Sequence, residues 1–246
     1  SLRVNALRIR ALRRLAVGNA AEARKLLRRA EVLYAQQASN ERYPGSTAGL
    51  ELTLYSRLGD VAGVLSSLEI LRVLAERYAG WRPVALLGQS RYAELQGDVP
   101  RALSLLEEGL QTLAPMQHPF YFGMQAQLTR LLCAAGKAEL AAAHAQGWLQ
   151  LASEAQMPVA DLLLETALAY GKLGDFERAL GAMNNAISTA ERQRRIGLAL
   201  GMFYEARARI AVWMGDGPSY EQFTERTRQQ YERAHNPDLS ARLMSL

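Results

Sequence analysis

The sequence is poor in the side chains from which many active sites are built. Its 246 residues include one cysteine, Cys133, and three histidines, His118, His144 and His235. A single cysteine excludes a disulfide within the chain and suits a reducing compartment, so we expect a cytoplasmic protein. The histidines lie far apart, and none is spaced from Cys133 as zinc ligands are. We therefore expect no metal site.

Long apolar runs and clustered glycines are also missing. No stretch approaches the roughly 18 apolar residues that a membrane-spanning helix needs. The glycines do not group into a phosphate-binding loop, and no catalytic constellation stands out, so we predict neither a cofactor nor an enzyme. The first residues, Ser1 to Val4, show neither an initiator methionine nor a signal-peptide pattern. We interpret the chain as a piece of a longer protein, or as one whose first residues were removed.

What the sequence has instead is a glycine that recurs every 38 to 41 residues, at positions 18, 59, 97, 136, 174 and 215. On both sides of it, apolar residues recur three and four positions apart, as on one face of a helix. Glycine tolerates the left-handed conformation that ends a helix, and the Asp or Asn that usually follows can cap the next one. A period of this length predicts a stack of helix pairs.

The predicted fold is all-α, a right-handed α-solenoid of about six helix-turn-helix repeats with a C-terminal capping helix. We expect a single domain, with repeats at approximately 1–40, 41–80, 81–117, 118–156, 157–195 and 196–236, and a cap at 237–246. The predicted helices cover residues 2–17, 20–38, 46–58, 61–78, 82–96, 99–114, 119–135, 138–155, 158–173, 176–192, 197–214, 218–234 and 238–245. Strand-like alternation is absent from the sequence.

Small residues stand five positions after several of the glycines, at Ala23, Ala102, Ala141 and Ala179. With the segment 173–180, LGDFERAL, this pattern resembles the middle of a tetratricopeptide repeat. The period is near 39 rather than the usual 34, and the family's early Trp and late Pro are mostly missing. These departures are similar to the longer-period variant in sensor and interaction domains of bacterial multidomain regulators, such as the maltotriose-responsive transcription activator. The resemblance implies a non-catalytic domain that binds a protein or peptide.

The resemblance also implies a concave groove, lined by the first helix of each pair at fixed positions before the glycine. The side chains at those positions are Arg8, Arg57, Arg91, Glu94, Arg130, Asp161, Lys172, Glu205, Arg209 and Trp213. Arginines bind carboxylates bidentately, so an acidic partner is favoured. The alternative is that these cations lie on solvated surfaces and pair with neighbours such as Glu94 and Glu205.

The net charge of +5 is concentrated at the start of the chain, since residues 1–30 sum to +8 and the other 216 residues to −3. This cluster could bind nucleic acid or be covered by an acidic preceding segment. We disfavour nucleic acid because no aromatic residues for base stacking are interleaved with the cations.

The favoured function is a protein- or peptide-interaction scaffold in a bacterial signalling or transcription-regulatory protein. The alternative is a domain that senses a small molecule and controls an attached kinase, ATPase or DNA-binding module. Self-association through the end repeats, which would give a homo-oligomer, stays open.

Overall fold

The computed structural model describes residues 2–35, 45–157 and 159–246, and the regular elements in these ranges are helical, without a strand. This confirms the all-α solenoid class. The helices are α1 (Leu2–Val17), α2 (Ala20–Ala35), α3 (Gly45–Leu58), α4 (Val61–Arg77), α5 (Arg82–Leu95), α6 (Val99–Gln111), α7 (Tyr121–Ala134), α8 (Ala138–Glu154), α9 (Ala160–Lys172), α10 (Phe176–Arg192), α11 (Leu198–Met214), α12 (Gly217–Tyr231) and α13 (Pro237–Met244). Short 3₁₀ turns at Ala79–Trp81 and Glu232–Ala234 precede α5 and follow α12.

The two helices of each pair are joined by the tight turn that the glycine pattern predicts. All six periodic glycines have a positive φ, between 70° and 109°. The next side chain then accepts a hydrogen bond from the backbone N–H three positions on, at 3.0 to 3.2 Å, in Asn19, Asp60, Asp98, Asp175 and Asp216. These bonds satisfy N–H groups that the first turn of a helix leaves without a partner.

Small side chains let the helices of a pair approach closely. The alanines five positions after the glycine, Ala23, Ala102, Ala141 and Ala179, are all fully buried. Each second helix from α4 onward also packs against the first helix of the next pair, so apolar surface is buried between neighbours along the array. A buried side chain such as Leu106 contributes about 1.5–3 kcal/mol to this stacking. The odd-numbered helices α3 to α11 turn their remaining face to the concave side.

Helix ends differ from the predicted ones by a few residues, chiefly near prolines. α6 ends at Gln111 and α7 begins at Tyr121, and the turns between them contain Pro115 and Pro119, which cannot continue a helix. The predicted end of the second helix at 36–38 and the predicted start of the ninth at Pro158 lie outside the described residues. The repeat boundaries stay a prediction. None of the described helices is long and apolar enough to cross a bilayer.

The two ends of the array contact one another. A Cβ added at Gly18, in the turn after α1, would lie 2.6 Å from Leu239 of α13, which is itself buried. The side-chain amide of Asn236 donates to the carbonyl of Gly18 at 3.0 Å, and Arg242 donates to the carbonyl of Arg57 at 3.1 Å. The last helix, predicted to cover the end of the stack, therefore also binds the first two pairs and closes the array.

Candidate functional site

The concave side of the array contains a cavity of about 340 Å³, which we call the central cavity. It is lined by α3, α5, α7 and α9, by the segment before α7, and by Met202 of α11. Its charged side chains are Arg57, Arg91, Arg130, Asp161 and Glu165, and its apolar wall includes Leu87, Phe120, Phe122, Val159 and Leu162. Four of the predicted groove residues, each from a different helix, thus meet in one place.

Three ion pairs neutralise much of this charge. Arg57 on α3 contacts Asp161 on α9 at 2.5 Å, and Arg195, in the connection before α11, reaches the same carboxylate at 3.1 Å. Burial alone would raise the pKa of Asp161, but the two guanidinium groups hold it below its usual value. Arg130 on α7 pairs with Glu94 on α5. For Arg57 and Arg130, the structure agrees with the alternative interpretation given above, in which the cations of the groove pair with neighbouring carboxylates.

Arg91 has no such partner. Its side chain is 6% exposed and forms no ion pair with the described residues, and it donates a hydrogen bond from Nη1 to Ser56 Oγ at 3.1 Å. Its Nε is buried without a hydrogen-bond acceptor. Burial lowers the pKa of Arg91 to about 9, and the nearby cations Arg130 and Arg57 add to this effect. The carboxylates Glu94 and Asp161 oppose this shift, but each is already paired with another arginine. A buried guanidinium without an ion pair of its own, at the wall of a cavity, is suited to binding an anion.

Glu165 is the corresponding carboxyl group. It lies one helical turn after Asp161 on α9, lines the central cavity, and forms neither a hydrogen bond nor an ion pair with the described residues. Burial raises its pKa to about 7. The neighbouring carboxylates Glu94 and Asp161 push the pKa in the same direction, and the attraction of Arg130 and Arg57 opposes them.

A second cavity of about 280 Å³ continues the concave surface towards the C-terminal end and shares Arg130, Glu165 and Met202 with the first. It contains the predicted residues Lys172, Glu205, Arg209 and Trp213, together with Arg242. Here the polar groups are bonded to the protein itself. Lys172 donates to the carbonyl of Cys133 at 3.0 Å.

Glu205 is the centre of a saturated network in this second cavity. It is buried and accepts hydrogen bonds from Arg209 at 3.0 Å, from Nη2 of Arg242 at 3.0 Å and from the hydroxyl of Tyr231 at 2.5 Å. Because Arg242 belongs to α13, the network ties the last helix to α11.

Arg8 is the predicted groove residue that lies apart from the others. It lines a separate polar cavity of about 280 Å³ with Arg24, Arg28 and Glu51. Glu51 is buried, and burial raises its pKa. Three of the N-terminal cations, Arg8, Arg24 and Arg28, therefore line a cavity of their own and do not extend the central one.

Sequence reasoning missed Glu165, Arg195 and Arg242. Glu165 could have been found, because it stands four residues after Asp161 on the same helical face. Arg195 lies in a connection and Arg242 on the terminal helix, whereas the predicted groove positions all lie on the first helix of a pair. Only the closure of the array brings Arg242 to the concave side.

Cys133 and the histidines have structural environments. Burial raises the pKa of the Cys133 thiol to about 11, which disfavours the reactive thiolate. His118 accepts a hydrogen bond at Nδ1 from the backbone N–H of Phe120 at 3.2 Å, and His144 bonds the side chain of Gln125 at 2.8 Å. In the described ranges, no three His, Cys, Asp or Glu side chains come together as metal ligands would.

Comparison with known proteins gives the fold a context. No protein-family model and no curated protein matches the sequence. Among solved structures, BtubC (BKLC) from P. vanneervenii is 23% identical with a TM-score of 0.55, over 72% of this chain and 74% of that one. A Rap protein complexed with competence and sporulation factor is 12% identical with a TM-score of 0.62, over 96% of this chain and 66% of that one. The chain has a tetratricopeptide-like fold.

A kinesin light chain from Podosopora anserina with nearly identical TPR-like repeats overlaps less well with this tetratricopeptide-like chain. Its TM-score is 0.47 at 18% identity, over 79% of this chain and 99% of that one. In a tetratricopeptide-like array the first helices face the concave side, which is where the residues of the central cavity lie.

Proposed function

We propose that this tetratricopeptide-like domain is a non-catalytic scaffold that binds a peptide segment of a partner protein in the central cavity. The observation that carries the proposal is Arg91, a buried guanidinium at the cavity wall whose Nε has no hydrogen-bond acceptor and which forms no ion pair with the described residues. An acidic side chain or a C-terminal carboxylate would supply the missing counter-ion. The apolar wall beside it would accommodate the rest of the segment.

The longer-period repeat resembles interaction domains of bacterial regulators, and we place the scaffold in such a signalling or regulatory protein. The Rap protein of similar fold holds competence and sporulation factor. That complex motivates the choice of a bound partner over a purely structural role, while Arg91 supports the choice of an acidic one.

The test is selection of peptides from a random display library on the immobilised chain, followed by calorimetry of the selected peptides. We expect peptides with an acidic residue, and we expect Arg91→Met to weaken their binding by more than tenfold. Arg207→Met is the matched control, because Arg207 is also buried with an unbonded nitrogen but does not line the cavity. If no peptide is selected, or if Arg91→Met binds as well as the parent chain, the proposal is wrong.

A second candidate function is sensing of a small molecule that controls an attached module. The size of the central cavity favours it, since about 340 Å³ falls within the range of small-ligand sites. A metabolite panel screened by thermal shift would test it. A stabilising compound whose effect is lost in Arg91→Met supports this function, and the absence of any stabilising compound contradicts it.

A further inference from the structure

Among the described residues, the central cavity leaves one side chain of each charge without an ion-pair partner, Arg91 and Glu165. We infer that the peptide bound there carries a basic side chain for Glu165 as well as the acidic group for Arg91. This inference rests on the proposed function and specifies the charge pattern of its ligand. The site would select a segment with one acidic and one basic group, not simply an acidic segment.

The charges around the cavity come from four helices and fall into two classes. Arg57 pairs with Asp161, and Arg130 pairs with Glu94. These four are also the neighbouring charges that act on both Arg91 and Glu165, so the two unpaired groups belong to one cluster. No ion pair in the described part of the chain joins Arg91 to Glu165. Each is therefore left to a ligand.

Glu165 lies where the two cavities meet, because it lines both the central and the second cavity. A segment that lies along the concave surface would pass this carboxyl group. An ionised carboxylate without a paired cation is unfavourable where water is excluded, and this raises the pKa of Glu165. A Lys or Arg side chain of the ligand would take the place of the proton on Glu165.

Charged side chains on four helices interact electrostatically with Glu165. Arg57 comes from α3, Glu94 from α5, Arg130 from α7 and Asp161 from its own helix. The second cavity adds Lys172, Glu205, Arg209 and Arg242. Arg209 and Arg242 both pair with Glu205, and Lys172 donates to a backbone carbonyl. The carboxyl group left to accept a hydrogen bond from a ligand cation is therefore Glu165.

The experiment uses the 246-residue chain and a positional-scanning library of hexapeptides that are acetylated and amidated, so that only side chains carry charge. We expect the best peptides to contain one acidic and one basic residue at a fixed separation. The basic residue, if Lys, is then replaced by norleucine, and calorimetry compares both peptides on the parent chain and on Glu165→Gln. If replacing Lys by norleucine weakens binding to the parent chain by a factor at least five times larger than on Glu165→Gln, the inference is supported. A smaller difference between the two chains overturns it.

Glu51→Gln is the matched control, because Glu51 is also a carboxyl group whose pKa is raised by burial but lines the separate N-terminal cavity. It should leave the effect of the norleucine replacement unchanged. The outcomes separate the two claims. If no hexapeptide binds, the proposed function fails. If acidic peptides bind with no preference for a basic residue, the proposed function stands and this inference is wrong.

A further measurement needs no variant and follows the affinity of the parent chain for the two peptides as the pH changes. Since Glu165 must lose its proton to pair with the basic residue, affinity for the Lys peptide should rise about tenfold from pH 6 to pH 8. Arg91, with a pKa of about 9, stays charged over this range. The norleucine peptide should show no such rise. Equal pH profiles for the two peptides would contradict a role for Glu165.

Discussion

Two clusters of charge line the concave surface, and they differ in how completely they are paired. Around Glu205, two arginines and a tyrosine hydroxyl satisfy one buried carboxylate. In the central cavity, the ion pairs leave Arg91 and Glu165 unmatched. The central cluster draws its charges from α3, α5, α7 and α9, whereas the Glu205 cluster lies on α11, α12 and α13.

The difference separates structural charge from charge that is free to bind. The Glu205 cluster joins α11, α12 and α13, so its bonds fix elements of the fold. Of the two unmatched groups, Arg91 donates a hydrogen bond to Ser56 and Glu165 forms no bond with the described residues, so we expect their charges to destabilise the folded state. Removing a charge should therefore lower stability in the first cluster and raise it in the second.

The largest effect is expected from Glu205→Ala. The change leaves Tyr231 and two arginines without their acceptor, in a site where Glu205 itself is buried. We expect a loss of about 3–4 kcal/mol in the free energy of unfolding. Urea denaturation measures it, and Glu225→Gln, which removes an exposed carboxylate paired with Arg228, should change it little. Equal effects of the two changes would contradict a structural role for the bonds around Glu205.

Gly197→Ala tests the closure that the Glu205 cluster helps to hold, without altering a charge. Gly197 has a φ of 61°, and a Cβ there would lie 2.4 Å from the backbone of Val17. We expect this change to cost about 2–3 kcal/mol more than Gly174→Ala, where φ is also positive but the added Cβ meets nothing within 4 Å. Denaturation midpoints that match would argue against contact between the ends.

Glu165→Gln should stabilise the protein, but only at higher pH. The folded state raises the pKa of Glu165 from 4.5 to about 7, so ionisation of this group opposes folding. That cost is absent below about pH 4.5 and complete above about pH 7. We expect the variant to be more stable than the parent chain by on the order of 2 kcal/mol at pH 8, and the difference to vanish near pH 4.5. A pH-independent difference would refute the assignment. Glu107→Gln, at an exposed site on α6, is the control for the change in charge.

Arg91→Met should have the smallest effect on stability, again in the stabilising direction. Methionine fills a similar space and removes a buried cation whose one hydrogen bond is to Ser56. We expect a gain of about 1 kcal/mol. Arg207→Met should gain less, because the guanidinium of Arg207 lies over the ring of Phe223 at 4.9 Å. Thermal and urea unfolding of both variants would test the order, and a marked loss of stability in Arg91→Met would contradict it.

Much of the fold could be predicted from the sequence because its signals are local. The periodic glycines and the capping residues after them act within a few positions of the chain, and the structure confirms the turns that they predict. The buried alanines could also be located by counting from the glycine. Prolines set the ends of α6 and α7 a few residues away from the predicted positions.

The central cavity was only partly predictable. Counting from the glycine located Arg57, Arg91, Arg130 and Asp161, which the structure brings together. It could not tell which arginine lacks a carboxylate, because the pairings join residues 36 and 104 positions apart. Closure of the array was not predictable either, since Leu239 and Gly18 give no sign in the sequence that they will meet.

That closure has a consequence for how the protein unfolds. In an open array each repeat contacts only its neighbours, so the terminal repeats fray first and opening spreads inward. Here the bond from Asn236 to Gly18, and that from Arg242 to Arg57, give the terminal helices partners on both sides. Amide hydrogens of α1 and α13 should then exchange with solvent nearly as slowly as those of the middle helices, and the whole array should open as one cooperative unit.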